Sequence, residues 1–197
     1  MTDVIDRLAG IAAGSALDKA RDNRPEARKH AQASYDALFA PKDPGSFPLQ
    51  ERFAVAAFVA GLHGQPDTKA HYEERLAGTG ASPELRVAVA SEVFEAKTHG
   101  PYGHYPVGPL TIENIDGMVY GVGPTARHIL GQRLATAFEH THMLVFHPRD
   151  AAPPSLQAML DAGWSTTDIV TLSQLVSFLA FQIRVVAGLK ALNARAA

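Results

Sequence analysis

The chain has 197 residues and 21.0 kDa, enough for one well-buried domain, and its 46% hydrophobic and 19% charged residues with a mean hydropathy of -0.05 exclude general disorder. Eighteen Lys and Arg against 20 Asp and Glu give a formal charge of -2, so no basic field invites nucleic acid or an anionic membrane. The absence of cysteine removes disulfides, thiolate nucleophiles, Cys-ligated zinc and iron–sulfur clusters, leaving His, carboxylate, Arg and Tyr for any chemistry.

Residues 1–24 read as an N-terminal arm. A short helix spans Val4–Ala9, and a turn over Gly10 to Ser15 ends on a serine placed to cap a second short helix. The stretch has no basic segment followed by an apolar one, so it does not read as a signal peptide, and the protein is expected in the cytoplasm. Arg24-Pro25 sets a helix start, and Ala27, Ala31, Ser34, Tyr35 and Leu38 recur at helical spacing to Phe39. Pro41 to Pro48, with three prolines and a glycine, is a loop. Leu49–Leu62 is a central helix, apolar or small around its circumference. After the break at Gly64 to Pro66, Thr68–Ala77 is amphipathic, with Tyr72 and Leu76 on one face. Ser82-Pro83-Glu84 opens a further helix that runs to about Lys97.

Residues 98–124 differ, interleaving His99, His104, Tyr102, Tyr105 and Tyr120 with six glycines and four prolines. A connection this long is irregular and either functional or an interaction arm. Helix returns over Ala126–Val145, turns at His147 to Asp150, and resumes over Pro154–Ala162 with Gly163 as its stop. Ser165 to Asp168 caps the final helix, Ile169–Leu192, whose stripe is Leu172, Leu175, Val176, Leu179 and Ile183. Gln174, Gln182, Arg184 and Lys190 make it a buried helix rather than a membrane span. With no strand alternation and no repeat, the expectation is a single all-α domain over 1–197.

Two segments carry a family resemblance. Residues 156–192, LQAMLDAGWSTTDIVTLSQLVSFLAFQIRVVAGLKAL, resemble the C-terminal half of the carboxymuconolactone decarboxylase and alkylhydroperoxidase D-like (AhpD-like) family, with Phe181 to Arg184 as its F-x-x-R element. Residues 51–72, ERFAVAAFVAGLHGQPDTKAHY, are similar to that family's redox segment. Without gaps, Glu51 and Arg52 fall on its E-R, Phe53 on its proton-relay Glu, His63-Gly64 on its N-G, Gln65 and Thr68 on its two cysteines, and Tyr72 on its His. A one-residue shift aligns His71 with the family His but leaves Gly64 and Asp67 at the cysteine positions. The resemblance implies an AhpD-like helical fold, a homo-oligomer and a peroxidase-related label, without the thiols that peroxide reduction needs.

What remains for chemistry is Glu51, His63 and His71, a carboxylate and two imidazoles around one turn, suited to general acid–base work or equally to helix-end and solvent roles. Tyr72, Tyr102, His104 and Arg184 are the candidate substrate-binding residues. The 98–120 stretch reads as a pocket wall or a rigid surface loop, and Arg184 as an ion-pair member, a snorkelled side chain or an anion ligand. Glu139 and His142, at i and i+3, form half of a di-metal motif, and Glu95 with His99 is the lone second pair, so no metal set is complete and no cofactor is assigned. Two functions stand: a cofactor-free proton-transfer enzyme acting on a small carbonyl or lactone acid, and a non-catalytic, thiol-free protein that binds a small molecule or a catalytic partner. The expected partners are further copies of the chain and a small-molecule ligand, with no nucleic acid and no membrane.

Overall fold

Helix dominates as the sequence pattern requires: the computed structural model describes residues 3–196, of which 71% are helical and none belongs to a strand. Met1, Thr2 and Ala197 lie outside the described residues. In chain order the helices are α1 (Val4–Ala9), α2 (Ala16–Asp22), α3 (Pro25–Phe39), α4 (Leu49–Leu62), α5 (Pro66–Ala77), α6 (Pro83–Glu95), α7 (Pro124–Phe146), α8 (Pro153–Asp161) and α9 (Thr166–Ala196). The expected caps are present: Ser15 Oγ accepts from Asp18 N–H, Ser82 Oγ from Leu85 N–H and Ser165 Oγ from Asp168 N–H. The sequence expectation of one unbroken helix across 126–145 is corrected at Gly131, whose φ of +74° kinks α7, a conformation that glycine adopts without steric cost.

α4 is the axis. Residues 52–60 are all buried, and α5, α6, α7 and α9 pack around them. Its small residues permit close approach: a Cβ on Gly61 would lie 2.5 Å from the Val93 side chain of α6. Phe58 stacks on Phe138 of α7 at 4.3 Å, and α9 lays Leu172, Leu175, Val176, Leu179 and Ile183 into the same core. α9 is also long and apolar enough to cross a membrane by length and composition, with 44% of its most apolar window buried, while Val170, Phe181 and Leu192 stay exposed.

Two arginines anchor the ends of this packing. Arg52 is buried with no carboxylate beside it; Nε donates to Phe47 O at 2.8 Å, Nη1 to Leu38 O at 2.8 Å and Nη2 to Pro44 O at 3.0 Å. A guanidinium's planar donors thus join Leu38 O in the last turn of α3 to two carbonyls of the α3–α4 loop, of which Pro44 O also accepts from Phe47 N–H at 3.4 Å. Arg133 of α7 gathers a second set: Nε lies 3.1 Å from Glu51 Oε1, Nη1 donates to Gly163 O and Nη2 to Ser46 O, each at 2.6 Å, and its Cζ sits 4.0 Å over the Trp164 ring.

The N-terminal arm docks through charge. Buried Asp3 and Asp6 both bind Arg21 and Arg28, and Arg28 also reaches Asp18 at 2.6 Å. Burial alone would raise the Asp3 carboxyl, but hydrogen bonds from Arg21 and from Asp6 N–H outweigh it and hold the group below its ordinary 3.8.

The segment expected to be irregular is so, but fixed. Gly103 and Ile115 exchange backbone hydrogen bonds of 2.7 and 3.2 Å, Tyr102 Oη donates to Met118 O at 2.6 Å, and its ring stacks on His147 at 4.8 Å. Asp150 Oδ1 accepts from His104 N–H at 2.7 Å, tying the loop to the end of α7.

Two outcomes follow. Arg52→Leu removes the donors to Leu38 O, Phe47 O and Pro44 O and is expected to cost about 2–4 kcal/mol in urea unfolding, whereas Arg52→Lys costs less. Because Asp3 is depressed in the folded state, its contribution is present above pH 3.8 and is lost as the pH falls through the lower folded value. Hydrogen exchange of residues 3–22 is expected to accelerate below about pH 3.8, ahead of the α4 amides.

Candidate functional site

An open cavity of about 920 Å³ lies where the arm meets the start of α4 and the end of α5, lined by Arg7, Pro48, Leu49, Gln50, Phe53, His71, Glu74, Arg75, Gly78 and Thr79. Local sequence explains the wall: His71 and Arg75, at i and i+4, share one face of α5, and Leu49 and Phe53 do the same on α4. The remaining cation, Arg7, arrives from α1 only because the aspartate–arginine cluster seats the arm.

The electrostatics favour an anion. Neither Arg7 nor Arg75 has a carboxylate partner among the described residues, and the Arg75 guanidinium sits 5.3 Å from the centre of the Phe53 ring. Pro48 caps α4 without a side-chain hydrogen bond, so the first-turn N–H groups at Leu49 and Gln50 face this region with no protein acceptor described. His71 is half-buried, and desolvation first, then the charges of Arg7 and Arg75, lower its pKa to about 4. Tyr35 Oη lies 3.3 Å from His71 Nε2, and burial raises the phenol above its usual value. The site therefore presents a neutral imidazole, a protonated phenol, two exposed guanidinium groups with no ion-pair partner among the described residues, and the Glu74 carboxylate.

The other residues singled out from the sequence are dispersed. Glu51 is not part of this wall: its carboxylate faces Arg133, and burial raises its pKa despite that cation. His63 closes α4, with N–H bonded to Val59 O and a buried Nε2 lacking a partner. Its pKa is lowered by desolvation and then by Arg184. Glu51, His63 and His71 are thus not one acid–base cluster: Glu51 lies in the first turn of α4 against Arg133, His63 follows the last residue of α4, and His71 lies midway along α5 beside Tyr35. Tyr72 is fully buried with its hydroxyl on Gln182, so core packing takes up the side chain expected to meet substrate. At the positions aligned with the family's cysteines, Gln65 caps the start of α5 and Thr68 is buried.

Tyr102 is likewise buried, and His104 lies 2.9 Å from Asp116 on the fixed loop, away from this cavity. Arg184 has no ion-pair partner among the described residues; it is exposed and donates to Ala180 O at 3.0 Å on its own helix. Glu139 accepts from Val122 N–H and Arg127, while His142 Nε2 lies 3.1 Å from Ala96 O, so the proposed half-site does not converge. Glu95 and His99 are both exposed, and the buried acid of that region is Glu92, bound by the Tyr120 hydroxyl. Among the described residues no group of three His, Asp or Glu is placed to hold a metal ion.

Sequence reasoning missed Arg7, Arg75 and Tyr35. Arg75 was findable one helical turn from His71, whereas Arg7 and Tyr35 join only through tertiary packing. No family model, curated protein or solved structure matches the chain.

The His71 imidazole is expected to titrate near pH 4 by NMR, and Arg7→Ala with Arg75→Ala to move it toward 6.5. His63, His71, His140 and His142 are all depressed by burial, so the unfolded chain binds more protons below pH 6.5. Stability should fall as the pH drops from 6.5 toward 4, read as a declining urea midpoint.

Proposed function

We propose that this protein binds a small carbonyl or lactone acid in the Arg7–His71–Arg75 cavity and performs cofactor-free proton transfer on it, with His71 as the base. The observation that carries the reading is the neutral imidazole of His71 beside two exposed guanidinium groups, Arg7 and Arg75, that have no ion-pair partner among the described residues, with Glu74 as the acid in the wall. A carboxylate entering the cavity is drawn to Arg7 and Arg75, and it offsets the part of the His71 depression that their charges add to desolvation. The base thereby gains strength when substrate is present. Tyr35, 3.3 Å from Nε2, orients the ring through the hydrogen bond and stays protonated. Phe53 supplies an apolar floor for the body of the acid.

The resemblance of 51–72 and 156–192 to the carboxymuconolactone decarboxylase and AhpD-like family supports the same reading, since that resemblance implies an all-α fold with its site at the α4–α5 pair. In this proposal the chain is a cysteine-free, peroxidase-related protein that has kept the helical frame and works by proton transfer in place of thiol chemistry. A second reading, binding without turnover, is favoured by one observation: an imidazole with a pKa near 4 is a weak base until an anion raises it.

The test is NMR of a panel of small keto acids and lactone acids in deuterated buffer, following ligand line broadening and loss of the carbon-bound proton. Wild-type protein is expected to broaden and exchange at least one acid, His71→Gln to lower the exchange rate about 10²-fold or more while still binding, and Tyr35→Phe to cause a smaller loss. Binding without exchange would establish the second reading, and exchange undiminished in His71→Gln would remove His71 from the role.

A further inference from the structure

We infer that residues 107–119 of a second copy of this chain dock over the mouth of the Arg7–Arg75 cavity, so that the site is completed between two subunits. The inference rests on the cavity of the proposed function but not on its chemistry.

The first observation is the loop itself. Val107, Ile112 and Val119 are exposed to 102%, 90% and 93%, and Leu110 and Ile115 are each at least half exposed. Such bare side chains are ordinary on a floppy tail, yet this backbone is fixed by the Gly103–Ile115 pair, the Tyr102–Met118 bond and the Asp150 anchor. A braced loop that points apolar side chains at water has the form of a docking element.

The second is charge. From residue 98 to residue 126 there is no Lys or Arg, and Glu113 and Asp116 lie among the exposed apolar residues; the cation packed on this loop is Arg149, whose Nη1 donates to Glu113 O at 3.2 Å and whose Cζ lies 4.3 Å from the centre of the Tyr105 ring. The Glu113 side chain has no partner among the described residues; Asp116 meets only His104, at 2.9 Å, and its side chain remains 95% exposed. The titratable groups that would face them across the cavity are Arg7, Arg75, His71 and Glu74, a net positive set at neutral pH, with Leu49 and Phe53 as the apolar ground between. Apolar residues punctuated by two acids thus meet an apolar floor bordered by two unpaired cations.

The third is closure. A site that holds a small ligand buries most of its surface, and this cavity is open on one side. Each guanidinium carries five N–H donors, so Arg7 and Arg75 have capacity for a docked carboxylate and a ligand carboxylate together. Because each copy offers one loop and one cavity, a two-fold exchange satisfies both at once.

Sedimentation and native mass spectrometry of ligand-free protein test the inference with two surface variants. Wild-type protein is expected at twice the chain mass of 21.0 kDa or more at micromolar concentration. Arg7→Glu with Arg75→Glu makes both loop and cavity acidic; Glu113→Arg with Asp116→Arg makes both basic. Each variant alone is expected to dissociate, with a dissociation constant raised about 100-fold. An equimolar mixture of the two restores assembly, since each loop then meets a cavity of opposite sign. A monomeric wild type, an unchanged assembly in either variant, or a mixture that stays monomeric would overturn the inference. His71→Gln separates it from the proposed function: that variant is expected to assemble like wild type while losing proton exchange, so either idea can fail alone.

Discussion

A helix buried around its whole circumference dictates most of this molecule. With residues 52–60 of α4 removed from water, every neighbour must offer apolar or small side chains toward it, and the polar groups at its ends need partners close at hand. Those ends are where the charged anchors appear. Arg52 collects the carbonyls of the α3–α4 loop, and Glu51 draws Arg133, which in turn fastens that loop to the α8–α9 turn through Ser46 O and Gly163 O. The apolar middle sets the packing and the charged start sets the register of the surrounding chain.

The cavity inherits its character from what these anchors leave over. Most buried or half-buried cations here are spent on carboxylates or carbonyls, whereas Arg7 and Arg75 are exposed and lack a carboxylate partner among the described residues. They stand beside an imidazole whose pKa is lowered first by burial and then by their charge, and beside a helix start that carries no side-chain cap. Solvent screens both exposed guanidinium groups, so leaving them unpaired costs the fold little. The arm matters in this respect: the Asp3 and Asp6 cluster fixes α1 and thereby brings Arg7 to the cavity. The docking of the arm thus contributes to the field at His71.

The helices were legible because their signals are local. Ser15, Ser82 and Ser165 cap the turns they precede, and the stripe from Leu172 to Ile183 is the buried face of α9. The kink at Gly131 was not legible, since a glycine within a helical pattern is compatible with a straight helix until packing selects otherwise. The histidines show the same limit. Glu139 and His142 look like half of a metal motif by spacing, yet His142 turns to Ala96 O and Glu139 to Arg127 and Val122. Spacing places residues on a helix face; the neighbouring elements decide what that face meets.

His71 and Arg75 were one turn apart in sequence, and that proximity survives in the cavity wall. Arg7 and Tyr35, by contrast, are separated from His71 by many tens of residues and join it only because α1 and α3 fold back beside α5. The sequence by itself determined the all-α class, the boundaries of most helices, the central place of α4 and the absence of thiol chemistry, because composition, capping and periodicity act within a few residues. Tertiary structure alone decided which charges are neutralised, which imidazole is depressed and where the unpaired cations gather. Those properties depend on distances between distant segments and on the water that packing removes.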